Sequence, residues 1–147
     1  MKTKLLTSLA VTVLGIFLAA SLGSAQGDRA KALLGKWEGA IQWAGGAGTT
    51  TDDPNRTLIV ESVEQKEGKW VASGKYGITG KGLGKVEIEV DDSGDRTGIR
   101  FTTSVNSTIR LSLSGTKLLT GTTTLPSTTG RFGGRGNDRP LNLEKKD

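Results

Sequence analysis

The sequence predicts an all-β protein, an antiparallel up-and-down barrel of about eight strands with a short helix at its start. Two observations carry this prediction. Apolar and polar residues alternate with a period of two in eight short stretches, as in strands with one buried face. Turn-forming groups rich in Gly, Asp, Asn and Ser separate these stretches, and no strong amphipathic helix lies between them, which excludes a parallel α/β layout.

The predicted strands follow one another along the whole second part of the chain. They are centred on 37–43, 58–63, 70–76, 86–90, 99–103, 109–113, 119–123 and 141–143. The clearest is 86–90, where Val86, Ile88 and Val90 alternate with charged residues. In 58–63 the apolar residues are not confined to one face. A single sheet of eight strands with one apolar face must fold over on itself, and closure removes its exposed edges. We therefore expect a closed barrel, with a flattened sandwich as the alternative.

One helix is expected before the first strand, over residues 28–34. Asp28 is a suitable cap for its start, and Gly35 is a suitable residue to end it.

The N-terminal residues 1–25 have the three-part pattern of a secretory signal peptide. A basic head with Lys2 and Lys4 precedes an apolar run over 5–22, and small residues follow at Gly23, Ser24 and Ala25. A membrane anchor is the rival interpretation, but Thr, Ser and Gly dilute the run and no basic stop-transfer cluster follows. Cleavage would leave residues 26–147 as a single domain, secreted or periplasmic and not held in a membrane. It would also lower the formal charge from +5 to +3, which does not indicate a nucleic-acid partner.

Gly35, Lys36 and Trp37, placed after a short helix and at the start of the first strand, resemble the Gly-x-Trp motif of the calycin-like barrels, which include lipocalins and avidins. The resemblance implies structural roles for Gly35 and Trp37, with the indole closing one end of the barrel. It also implies that a late arginine lies against that indole, for which Arg131, Arg135 and Arg139 are the candidates. Biotin is not implied, since the polar pattern of the avidins does not follow Trp37.

The other aromatic side chains on the predicted inner faces are candidate ligand contacts. Trp43 lies on the same strand face as Trp37, about 20 Å further along, and either fills the core or forms a platform for a ligand. Trp70 and Tyr76 share one face of another strand and carry the same two interpretations.

The residues needed for most catalytic and metal sites are missing from the sequence. The chain contains no His and no Cys, which removes the commonest general base, thiol nucleophiles and nearly every zinc site. Ser114 and Lys117 have the spacing of Ser/Lys enzymes, but they fall in a predicted hairpin turn rather than on a helix. The Asp-rich turn at 91–95 lacks the flanking helices and the bidentate Glu of a calcium loop. We expect no enzymatic activity, no metal and no cofactor.

The segment 128–143 combines arginines with several glycines before the last strand. Guanidinium groups beside glycine amides suit carboxylate or phosphate groups, so Arg135 and Arg139 are candidate anion contacts. The alternative is that this segment is a plain surface loop.

Two functions are compatible with these features. The first is an exported, non-enzymatic barrel that binds a small, partly apolar or anionic ligand through Trp43, Trp70, Tyr76, Arg135 and Arg139. The alternative is an interaction module, an inhibitor or accessory subunit of another exported protein, because long polar loops are natural carriers of recognition. Glycines on the inner faces, Gly39, Gly74 and Gly121, are expected to leave room for a ligand.

Overall fold

A computed structural model describes residues 27–42, 55–124 and 138–147, and it contains a closed antiparallel β-barrel. Its strands are β1 (Gly35–Ile41), β2 (Arg56–Lys66), β3 (Lys69–Ile78), β4 (Gly84–Asp91), β5 (Gly98–Thr102), β6 (Thr108–Ser114), β7 (Leu118–Thr124) and β8 (Asp138–Lys146). Each strand pairs with the next in sequence, and β8 pairs with β1 to close the sheet. The predicted eight-stranded up-and-down barrel is confirmed, and the sandwich alternative is wrong.

The helix, α1, is shorter than the sequence predicts and covers residues 27–31. Asp28 therefore lies within the helix and not before it. After α1 the chain tightens into turns, with the Leu33 amide donating to the Ala30 carbonyl at 3.1 Å and the Leu34 amide to the Lys31 carbonyl at 3.0 Å. Gly35 then begins β1 at a φ of 120°, a conformation that side-chain-bearing residues rarely adopt. No helix of the residues described is long and apolar enough to cross a membrane.

A β-bulge in β2 explains why apolar residues fall on both predicted faces of that strand. Val60 pairs with Gly74 and Ser62 pairs with Ser73, so Glu61 is an extra residue on β2. The inward face changes from even to odd positions there, and Val63 packs against the core after the bulge. A strict period of two cannot describe a strand with an inserted residue.

The barrel is filled by inward-facing side chains over most of its length. The fully buried large residues are Trp37, Leu33, Leu58, Ile88, Ile109, Leu119, Leu141, Leu143 and Thr123. Helix α1 covers one end, which we call the closed end, where β1 begins and β8 ends. Arg29 of α1 donates to the Gly94 carbonyl of the β4–β5 turn at 2.8 Å and thereby ties the helix to this end.

The inner glycines do not leave room for a ligand, and the expectation that they would is wrong. A Cβ on Gly39 would lie 1.8 Å from the Asn142 carbonyl oxygen, and one on Gly121 would lie 2.0 Å from that of Arg110. A Cβ on Gly74 would lie 2.1 Å from the Ile59 carbonyl oxygen. These glycines therefore mark places where the backbones of adjacent strands approach closely as the sheet coils.

Candidate functional site

The closed end of the barrel is built around Trp37. Its side chain is fully buried, and its indole N–H donates to the Leu33 carbonyl at 2.8 Å. Leu33, itself fully buried, lies two residues after the end of α1, so the hydrogen bond joins the helical segment to the first strand. An aromatic ring of this size with its polar atom paired is well suited to a structural role.

Among the residues described, a lysine provides the cation on the Trp37 ring. The Lys145 ammonium lies 5.3 Å from the ring centroid and also donates to the Ala32 carbonyl at 2.8 Å. Arg139, one of the predicted candidates, is the second residue of β8 and lies at the opposite end of the barrel, where it pairs with Thr123. For Arg139 the expectation drawn from the resemblance is therefore wrong, and Arg131 and Arg135 lie outside the residues described.

The opposite end, which we call the mouth, contains a cavity of about 360 Å³. Strands β1 and β7 end here, and β2 and β8 begin here. The residues that form the cavity wall and matter most for its chemistry are Ile41, Arg56, Tyr76, Ile78, Ile109 and Thr123. The interior is thus packed at the closed end and hollow at the mouth, with a volume within the range of small-molecule sites.

Tyr76 forms one side of this cavity, as part of a small aromatic cluster. Its ring makes an edge contact with Phe101, with centroids 5.3 Å apart and planes at 67°. Phe101 is buried, whereas Tyr76 is half-buried and reaches the cavity. Tyr76, a predicted ligand contact, therefore lies at the mouth together with the basic residue Arg56.

Two arginines belong to the inner face of the barrel at the mouth. Arg56 lies on the inward side of β2, two positions before the buried Leu58, and it lines the cavity. Arg139 stands two positions before the buried Leu141 on β8, and its Nε is buried. Arg139 was expected in a surface loop, but β8 begins at Asp138, so it belongs to a strand.

Sequence reasoning missed Arg56, although a signal for it was present. Arg56, Leu58 and Val60 follow one another at a spacing of two, which places the arginine on the same face as two core residues. An arginine on an apolar strand face must reach solvent or an anion at the barrel end, because a fully buried unpaired charge is costly.

Trp70 does not belong to the mouth, although it shares the inner face of β3 with Tyr76. The two residues lie at opposite ends of the strand, about 20 Å apart by strand rise. A Cβ on Gly27 would lie 3.5 Å from the Trp70 ring, so this indole packs against α1 at the closed end. The structure therefore separates Trp70 from Tyr76 and Arg139, the other predicted ligand contacts that it describes. Trp43 and Arg135 lie outside the residues described.

The Asp-rich turn between β4 and β5 is organised by its own hydroxyl groups. Ser93 donates to Asp91 through its backbone N–H at 3.0 Å and its hydroxyl at 2.5 Å, and these bonds lower the pKa of Asp91. The buried Asp92 accepts from Thr97 at 2.6 Å. Within the three described ranges, no group of three or more acidic, His or Cys residues is arranged to hold a metal ion.

Comparisons of this chain with protein-family models, curated proteins and solved structures gave no match. What the fold and the site define is a class of architecture: a closed eight-stranded antiparallel barrel, compatible with the calycin-like barrels, with one packed end and one hollow end.

Proposed function

We propose that this protein is an exported, non-enzymatic barrel of calycin-like type that binds a small, partly apolar anion in its mouth. The observation that carries the proposal is the cavity of about 360 Å³, in which a basic side chain, Arg56, stands among isoleucines and Tyr76. Apolar walls with few polar groups are typical of small-molecule sites, since the walls supply affinity and the polar groups fix orientation. Export is inferred from the signal-like residues 1–25.

An anion is favoured over a neutral ligand by the charges at the mouth. Arg56 lines the cavity, Arg139 lies on the inner face opposite the cavity residue Thr123, and Lys81 contributes a third cation to the cavity wall. Among the described residues that line this cavity, none is acidic. A guanidinium group in a partly desolvated site binds carboxylate more strongly than it binds a neutral acceptor.

The proposal is tested by comparing two ligands that differ only in the charged group, octanoate and 1-octanol, by isothermal titration calorimetry. We expect octanoate to bind more tightly, and Arg56→Gln to weaken octanoate binding roughly tenfold or more, the effect of one charge-assisted hydrogen bond. Binding of 1-octanol should change little in this variant. Arg96→Gln is the matched control, because this exposed arginine lies in the β4–β5 turn at the closed end.

Two results would contradict the proposal. One is the absence of binding for both ligands and for a rigid aromatic acid such as 2-naphthoate. The other is equal weakening of octanoate binding by Arg56→Gln and Arg96→Gln, which would mean that net charge and not the mouth governs binding.

A protein-interaction module is the second candidate, and Val105 is the observation that favours it. This side chain is 67 % exposed in the β5–β6 turn at the rim of the mouth. An exposed apolar side chain on a turn is a suitable contact for a partner protein. Affinity capture from the exported fraction of the host should then recover a stoichiometric partner with the parent and not with Val105→Ser; recovery of none would exclude this function.

A further inference from the structure

Among the residues described, three threonines are buried, and one of them differs from the other two in its hydrogen bonding. Thr57, Thr97 and Thr123 are all at most 3 % exposed. The Thr57 hydroxyl shares a hydrogen bond with the Thr79 hydroxyl at 2.8 Å, and the Thr97 hydroxyl donates to the Asp92 carboxylate at 2.6 Å. The Thr123 hydroxyl has no hydrogen-bond partner within the described part of the chain. A buried hydroxyl group without a partner is destabilising, so its retention calls for an explanation.

The side chain of Thr123 faces the cavity at the mouth. It lies on the inner face of β7 and forms part of the cavity wall. Leu119, an inner residue nearer the closed end of the same strand, is apolar and fully buried. Valine has nearly the shape of threonine and would fill the position of Thr123 without burying a polar group. The hydroxyl of Thr123 therefore contributes nothing to packing and is placed to meet a molecule that enters the cavity.

Ser107 supplies a second hydroxyl on the same side of the cavity. Its side chain is buried and belongs to the cavity wall. The Ser107 backbone N–H donates to the Thr103 hydroxyl at 3.2 Å, but the Ser107 hydroxyl itself has no partner among the described residues. Ser107 stands two positions before Ile109, and Ile109 lies directly opposite Thr123. We call Ser107 and Thr123 the mouth hydroxyls.

The mouth hydroxyls and Arg56 lie on different sides of the cavity. In the closed order of the barrel, β8 and β1 stand between β7, which carries Thr123, and β2, which carries Arg56. Adjacent strands are about 4.7–4.9 Å apart, so three strand spacings separate the two groups around the wall. A ligand that places its anionic group at Arg56 can therefore reach the mouth hydroxyls only with a part of the molecule that is remote from that anion.

We propose that the mouth selects an anion with a second oxygen-bearing group, a hydroxyl or a carbonyl, remote from its charge. This inference rests on the proposed function, and it narrows the ligand from any partly apolar anion to a hydroxy or oxo acid. A hydroxyl side chain both donates and accepts hydrogen bonds, so it can pair with either group. A plain alkyl chain would leave the mouth hydroxyls without partners in a site from which water has been displaced, which disfavours such a ligand.

The test compares octanoate with 5-, 6- and 7-hydroxyoctanoate and the matching oxo acids by isothermal titration calorimetry. We expect at least one of these oxygenated acids to bind the parent about fivefold more tightly than octanoate, the effect of one hydrogen bond. Thr123→Val/Ser107→Ala should abolish this preference and bind octanoate at least as tightly as the parent does, because no hydroxyl then loses its water. The control Thr122→Val/Ser112→Ala removes the same groups from the outward faces of β7 and β6 and should keep the preference.

A stability measurement separates a ligand-facing hydroxyl from a structural one. Thr123→Val alone should have a melting temperature equal to or above that of the parent, since it removes a buried polar group that has no partner. A hydroxyl that supported the fold through a hydrogen bond would lower the melting temperature when removed. A clear decrease in Thr123→Val would therefore overturn the inference.

The binding results distinguish failure of this inference from failure of the proposed function. Equal affinity of the parent for octanoate and every oxygenated acid would overturn the inference alone, provided that octanoate binding still depends on Arg56. A preference that survives in Thr123→Val/Ser107→Ala would do the same. Absence of binding for octanoate and for all the oxygenated acids would overturn both.

Discussion

The indole N–H of Trp37 donates to the carbonyl oxygen of Leu33 at 2.8 Å, with both side chains fully buried. This single bond links the helical segment to the first strand, and Lys145 of the last strand lies over the same indole. The helical segment and the first strand, which are adjacent in sequence, therefore meet the last strand at one ring. The closed end of the barrel depends on this ring both for its packing and for a satisfied backbone carbonyl.

Trp37→Phe should lower the free energy of unfolding by about 2–4 kcal/mol, because it leaves the Leu33 carbonyl without its donor and opens a small cavity. Urea unfolding measures this change. Trp70→Phe is the matched control: Trp70 is only half-buried against α1, and we expect a smaller loss. Equal losses in the two variants would contradict the special role of Trp37.

Gly121→Ala should destabilise the barrel by roughly 3 kcal/mol, since the new Cβ would lie 2.0 Å from the Arg110 carbonyl oxygen and only a backbone shift can relieve the clash. Gly82→Ala places the same methyl group in open space and should change stability by less than about 0.5 kcal/mol. Thermal and urea unfolding of both variants provide the comparison. A Gly121→Ala protein as stable as the parent would show that β6 and β7 can separate without cost.

Ser93→Ala should raise the pKa of Asp91 toward its ordinary value of 3.8, because the Ser93 hydroxyl is the main cause of the lowered pKa. A carboxyl group with a lowered pKa in the folded state stabilises the protein above its unfolded pKa, and this contribution is lost as the pH falls through the folded pKa. The stability advantage of the parent over the variant should therefore be present near neutral pH and vanish in strong acid.

An NMR titration of the Asp91 carboxyl carbon, with urea unfolding across the acid range, checks this expectation. Ser114→Ala, an exposed serine in the β6–β7 turn, is the control and should leave the titration of Asp91 unchanged. An Asp91 pKa that does not move in Ser93→Ala would show that the backbone N–H of Ser93 alone is sufficient.

Part of the candidate site could be predicted from the sequence, and part could not. Tyr76 was expected on an inner face and lines the mouth, while Arg139 was expected in a loop and lies on a strand. Trp70 and Tyr76 are both predicted as ligand contacts because they share a strand face. A shared face does not determine at which end of the barrel each side chain lies. That the Thr123 hydroxyl lacks a hydrogen-bond partner among the described residues could not be foreseen, because it depends on the strands that surround this side chain in the closed barrel.

The sequence by itself determined the number of strands, their order and most of their inward faces, since a period of two with turn residues between the stretches is a local property of the chain. Tertiary structure alone decided which glycines are crowded, which cation covers Trp37 and where the cavity lies. These features depend on the register and coiling of strands distant in sequence, as at Gly39 beside Asn142 and at Lys145 over Trp37. Local patterns carry no information about such contacts, because the contacts exist only after the sheet has closed.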